Sequence, residues 1–136
     1  MFADLSPVAL TLTVMTGLLI KHAIADYGMQ TAYMVCNKGR YLHPGGILHA
    51  GLHAMLTAAV LVVFAPGAAK FIAMIALGEF LVHYHIDYGK ERICSDDAIT
   101  PQCARFWQIH GFDQLLHALT YIAIAAIFVP TLVTPG

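Results

Sequence analysis

Four sets of His and carboxylate side chains, spaced one helical turn apart, are the part of this sequence that can do chemistry. His22 and Asp26 are followed by Gln30. His49 is followed by His53. Glu79, His83 and Asp87 form a third series, and Asp113, Gln114 and His117 a fourth, with His110 just before it. Residues four apart lie on one helix face. Imidazole nitrogen and carboxylate oxygen ligate Zn2+, Fe2+ and Mn2+. The best ligand set is therefore His22, Asp26, His49, His53, His83, Asp87, Asp113 and His117, enough for two divalent transition-metal ions with room left for water. Gln30, Gln114 and Glu79 suit a supporting layer that orients the imidazoles. Asp26 or Glu79 suits a general base in hydrolysis, and sequence does not choose between them. No cysteine falls in this set, which argues against a Cys-rich structural zinc site.

The plain alternative is that each polar group is interhelical glue. A single intramembrane His or Asp commonly serves that way. For the whole set the explanation is poor, because Ser, Thr and Gly join helices at lower cost. His85, two residues from His83, points to the opposite face. His43 sits in a loop, where solvation is the default. Lys21 lies deep enough to pair with a carboxylate. Ala50, Ala54 and Ala58 read as ordinary helix packing.

The elements that must position these groups are apolar. The chain has 136 residues, is 59% hydrophobic and only 11% charged, and has mean hydropathy +0.71. Soluble domains carry about 25% charged residues. A membrane span needs roughly 20 mostly apolar residues. Four such runs are present, at about 7–27, 47–65, 68–88 and 106–129. Ser6 and Pro7 suit a helix start, and Gly89 suits a C-terminal stop for the third run. The fold class is all-α: a single membrane domain over 1–136, an up-down bundle of four transmembrane helices. Asp4 and the lack of Lys or Arg before the first run argue against a cleaved signal.

Lys38, Arg40, Lys90, Arg92 and Arg105 flank the loops after the first and third runs. The positive-inside rule puts those loops in the cytoplasm and both termini in the periplasm of a bacterial inner membrane. Tyr27, Tyr33, Tyr41, Tyr84, Tyr88 and Trp107 cluster at the same side, as an aromatic belt would. Cytoplasmic Cys94 and Cys103 would stay reduced, although the two share a loop and would be free to pair in an oxidising compartment. The near-neutral charge and absence of a basic stripe exclude nucleic acid as a partner.

Chain direction adds depth to spacing. The polar groups fall in the last turns of runs one and three and the first turns of runs two and four. An up-down bundle reverses at each loop, so all four sets reach one leaflet.

The segments HAIADYGMQT (22–31), HAGLH (49–53), HYHIDYGK (83–90) and FDQLLH (112–117) resemble a family of small bacterial and phage membrane proteins known as domain of unknown function 3307. The resemblance spans nearly the whole chain. Its pattern covers His22, Asp26, Gln30, His49, His53, His83, Asp87, Lys90, Asp113, Gln114 and His117. The motif style is also similar to bacterial membrane proteins labelled metal-dependent hydrolases. The cysteine-bearing third loop, ICSDDAITPQC, departs from the pattern.

Two function classes follow. In the first, metal acidifies a water for hydrolysis of a lipid-linked or phosphate-containing substrate, with Lys90 and Arg92, and Lys38 and Arg40 beside them, available to a phosphate. In the second, the chain transports or senses a divalent metal. The outer halves of the spans argue against a complete ion path in one chain, since they are almost wholly apolar, with Thr11, Thr13, Thr16, Thr57 and Thr120 as modest exceptions and Lys70 just inside the start of the third run. Small size and short loops also suit a homo-oligomer, or an accessory subunit of a larger membrane complex with a structural metal site. Haem is disfavoured by the Asp residues beside each His.

Overall fold

Each long helix begins where the sequence supplies a start. The computed structural model describes residues 5–96 and 99–133. Residues 1–4 (with Asp4), 97–98 and 134–136 of the expected single domain 1–136 lie outside the described residues. Helix α1 (Pro7–Ala23) is capped by Ser6, whose hydroxyl accepts from the Ala9 N–H at 3.2 Å, and Pro7 opens the first turn. A π-helical turn (Ile24–Met29) extends α1 and ends at Gln30, which adopts an extended backbone. The short α2 (Ala32–Val35) starts under the Thr31 side chain. Then come α3 (Pro44–Phe64), α4 (Ala69–Asp96), α5 (Ala104–Phe128) and the terminal turn α6 (Pro130–Val133).

Four of these helical stretches are long and apolar enough to cross a membrane: Pro7–Met29, Pro44–Phe64, Ala69–Ser95 and Ala104–Val133. They pack in the ring order α1–α3–α4–α5, with α5 closing back on α1. The fold is an all-α four-helix bundle. Its outside is apolar: Val8, Leu12, Met55, Met74 and Leu77 are each at least 60% exposed. Thr11, Thr13 and Thr16 each turn the hydroxyl back onto a carbonyl of their own helix at 2.8 Å, which satisfies it without water.

The interior is divided along its length. Leu10, Val14, Leu18, Leu61, Ile72, Ile124 and Phe128 fill one half. The other half buries polar side chains: His22, His49, His53, His83, Asp87, Asp113 and His117, with Lys21, Lys38 and Glu79.

Several boundaries differ from the sequence expectation. Gly89 does not stop α4, which runs on to Asp96. A glycine ends a helix by turning left-handed, and among the described residues no glycine has positive φ. Lys90, Glu91 and Arg92 are good helix formers and carry α4 onward. Helix α3 starts at Pro44 instead of 47, because His43 is not simply a solvated loop residue. Its Nδ1 accepts from the Gly45 N–H at 3.1 Å and caps the helix. Tyr84 does not belong to the exposed belt. It is buried, and its hydroxyl accepts from the N–H of Leu42, a residue held at φ 55. Tyr27, Tyr33, Tyr41 and Trp107 do lie exposed at that end.

Candidate metal centre

The segment after α2 folds back over the α3 N-terminus because two glycines leave room. A Cβ on Gly45 would come within 2.9 Å of both Asn37 Cβ and the Tyr33 carbonyl oxygen, and one on Gly46 within 3.2 Å of the Tyr84 ring. This close approach carries Lys38 inward. The π-helical turn takes an extra residue per turn, a feature concentrated at functional sites, and it holds Asp26. Gln30 Nε2 donates to the Asp26 backbone carbonyl at 3.2 Å and closes that turn.

Five imidazoles then converge on two carboxylates, all through Nε2. Around Asp26, His22 lies 3.2 Å away, His49 3.3 Å and His53 3.1 Å. Around Asp87, His49 lies at 3.2 Å, His83 at 3.5 Å and His117 at 3.3 Å. His117 Nε2 is also 3.6 Å from Asp113 Oδ1. The rings are packed edge to face and tilted, with centroids 3.9 Å apart for His53–His83 and 4.2 Å for His83–His117. All eight candidate ligands fall into four groups whose ligand atoms lie within 4.8 Å of one another. These are His22/His53/His83, Asp26/His49/His53, His49/His83/Asp87 and Asp87/Asp113/His117.

The donor set suits a cation. Asp87 Oδ2 takes the Lys38 ammonium at 2.9 Å. Among the described residues, the contacts of Asp26 are imidazoles, and those of Asp113 are imidazoles and the Gln114 amide. Buried carboxylates without a matching cation cost several kcal/mol each. His49 Nε2 faces two carboxylates and also Lys38 Nζ at 3.0 Å, and one ring nitrogen cannot donate to the first and accept from the second. His83 is 1% exposed; among the described residues its Nδ1 makes no hydrogen bond, and its Nε2 has only the long 3.5 Å approach to Asp87. Such orphaned nitrogens and under-neutralised carboxylates fit metal ligation.

A second polar layer lies beneath. Lys21 is ion-paired with Glu79, donates to the His53 carbonyl at 3.3 Å, and sits 4.6 Å over the Tyr121 ring. Tyr121 bonds His22 Nδ1 at 2.8 Å, and Gln114 Oε1 lies 3.2 Å from His22 Nε2. Of the two candidate bases, Asp26 is therefore inside the cluster. Glu79 is one layer away, engaged by Lys21.

Other sequence candidates stand apart. Gln30 contacts backbone, not an imidazole. His85 is exposed and bonded to the Leu81 carbonyl at 2.7 Å. His110 is partly exposed, 3.9 Å from Asp113. Lys90 and Arg92 lie on α4 and not in a loop, with Lys90 3.4 Å from Glu91 and Arg92 exposed. Cys36, Cys94 and Cys103 are free thiols. Lys38 and Tyr121 are the cluster contacts that sequence reasoning missed. Tyr121 was findable, since it follows His117 by four and continues its stripe.

No curated protein and no solved structure was found to match the chain. The profile of one family, described as "Protein of unknown function (DUF3307)", matches residues 14–134. With nearly the whole chain matched, this protein belongs to the DUF3307 family.

Proposed function

We propose that this chain is a bacterial inner-membrane protein that binds two divalent transition-metal ions (Zn, Fe or Mn) in its His/Asp cluster and hydrolyses a lipid-linked or phosphate-containing substrate at the cytoplasmic leaflet. One observation carries the reading: five buried His Nε2 atoms meet two carboxylates at 3.1–3.5 Å. Of Asp26, Asp87 and Asp113, only Asp87 is directly paired with an ammonium among the described residues, and the negative charge left over favours bound metal cations. Four-helix bundles build two-metal sites from facing side chains in this manner.

Such ions supply Lewis acidity and a water acidic enough to act near neutral pH. The chain's own groups divide the remaining tasks. Tyr121 holds the His22 ring at Nδ1, which leaves Nε2, facing Asp26 and Gln114, to serve as the ligand atom. Asp26, the least buried of the central carboxylates at 16% side-chain exposure, is the one most open to an incoming water. Transport is the weaker reading, because fully buried Val14, Leu18, Leu61 and Phe128 fill the opposite half of the bundle.

The test is release of phosphate or fatty acid from native lipids by detergent-purified protein. Release that needs metal, stops with chelator and is lost in Asp87→Ala supports hydrolysis. Metal-loaded protein without release leaves a structural or transport centre and overturns the hydrolase reading.

A further inference from the structure

A furrow of about 610 Å3 lies between α4 and α5. That is within the roughly 300–1,000 Å3 typical of small-molecule sites. Its walls are mostly apolar, with Leu81 and Leu116 toward the middle of the bundle and Ile93 and Ile109 toward the loop end; His85, Lys90 and Asp113 are the polar residues in the lining. Three features set it apart. Asp113, a member of the His/Asp cluster, is also a wall of the furrow, so furrow and cluster share a residue. Lys90 lines it opposite, one turn past Asp87, with its side chain 17% exposed. Gly89 lines it without a side chain, and a Cβ there would meet no atom within 4 Å. The furrow between α3 and α4, lined by Ala54, Met55 and Phe80 among others, has no charged residue in its lining.

We infer that the α4/α5 furrow is a lipid subsite: it takes the acyl chain of a phosphate-bearing lipid whose headgroup sits at Lys90, beside Asp113. The polarity runs the right way. Lys90 lies toward the loop end and the apolar walls continue inward to Leu81 and Leu116, so an occupant would lie as a lipid of the cluster-side leaflet lies. A largely apolar wall, interrupted on α4 by His85, suits a chain, and an ammonium suits a phosphate as a point charge. The open side of the furrow admits such a molecule laterally from the bilayer, and the shared Asp113 brings its headgroup against the cluster. This assignment rests on the metal-hydrolase reading for its purpose, but not for its test.

The test uses the full chain in nanodiscs containing a phosphatidic acid with a diazirine in its acyl chain. Photo-adducts are mapped by mass spectrometry, and bound metal is measured on the same samples. Adducts are expected on residues 81–93 and 109–116, several-fold above those at Ala54, Met55 and Phe80. Gly89→Phe should fill the furrow and cut that labelling several-fold, with metal content unchanged. Gly78→Phe, at an equally open glycine outside the furrow, should leave labelling intact. A diazirine diacylglycerol, which lacks the phosphate, should label the furrow several-fold less, and Lys90→Ala should erase that preference. If Gly89→Phe loses metal or aggregates, Gly89→Leu takes its place. Even labelling around the bundle, or labelling indifferent to bulk at Gly89, overturns the subsite while leaving the metal reading standing. Furrow labelling in a protein that binds no metal sinks the hydrolase reading and leaves the subsite standing.

Discussion

Lys38 shows what a single side chain adds to this centre. Its ammonium stands 2.9 Å from Asp87 and 3.0 Å from His49 Nε2, a position that competes with a metal for both. Removing one partner of a buried pair leaves the other charge uncompensated, at a cost on the order of 3 kcal/mol. Metal-free Lys38→Met should therefore melt well below wild type. Added Zn2+ should raise its melting temperature by more than it raises that of wild type, since no ammonium has to be displaced. Equal Zn2+ shifts in thermal melts would contradict the competition. A second residue-scale expectation concerns Tyr121. Tyr121→Phe removes the bond to His22 Nδ1 and leaves the ligands, so metal should be retained but bound more weakly, by about 10–100-fold for lost support of a ligand. Titration against a chelating dye measures it, and unchanged affinity would count against the supporting role. At this scale the sequence was informative wherever helical spacing applies. His22, Asp26, His83, Asp87, Asp113 and His117 were readable from four-residue intervals, and so was the exposed side of His85. Lys38 was read as a loop charge, because nothing in local spacing says that a loop folds back into a bundle.

The helices were legible as long apolar runs, and their ends less so. Gly89 had the chemistry of a helix stop but not the backbone, since α4 stays helical through it. The π-helical turn that holds Asp26 left no mark in the four-residue pattern, because His22 and Asp26 keep that interval in either helix type. The α2–α3 connection rests on close contact, and glycine substitution tests it. Gly45→Ala would press a methyl group into Asn37 and the Tyr33 carbonyl at 2.9 Å, and overpacking of this kind costs about 1–3 kcal/mol. Its melting temperature should fall by several degrees. Gly78→Ala, with open space around it, should be neutral or slightly stabilising, as expected where alanine replaces a helical glycine. Similar melts for the two variants would contradict the packing argument for how Lys38 is brought inward.

For the molecule as a whole, depth was the most informative sequence signal. Polar groups at opposite ends of successive runs meet only if neighbouring helices are antiparallel, and the meeting of His22, His53, His83 and His117 requires that arrangement. The same logic places Lys38, Arg40, Lys90 and Arg92 at the cluster end, and the proposed topology, resting on the positive-inside rule, has that end facing the cytoplasm. Exposed Cys36 should then resist a membrane-impermeant maleimide in intact spheroplasts and react after permeabilisation. A Gly67→Cys variant, in the turn at the other end, should react in both. The reverse pattern would invert the bundle. The central claim remains the metal, and the most direct measurement is elemental mass spectrometry of the protein purified in detergent without chelator. About two equivalents of a divalent transition metal per chain, matching the paired ligand groups of a two-metal bundle site, and a fall below one in His49→Ala/His117→Ala are expected. Less than one equivalent in the wild type, unchanged by the double substitution, would contradict it.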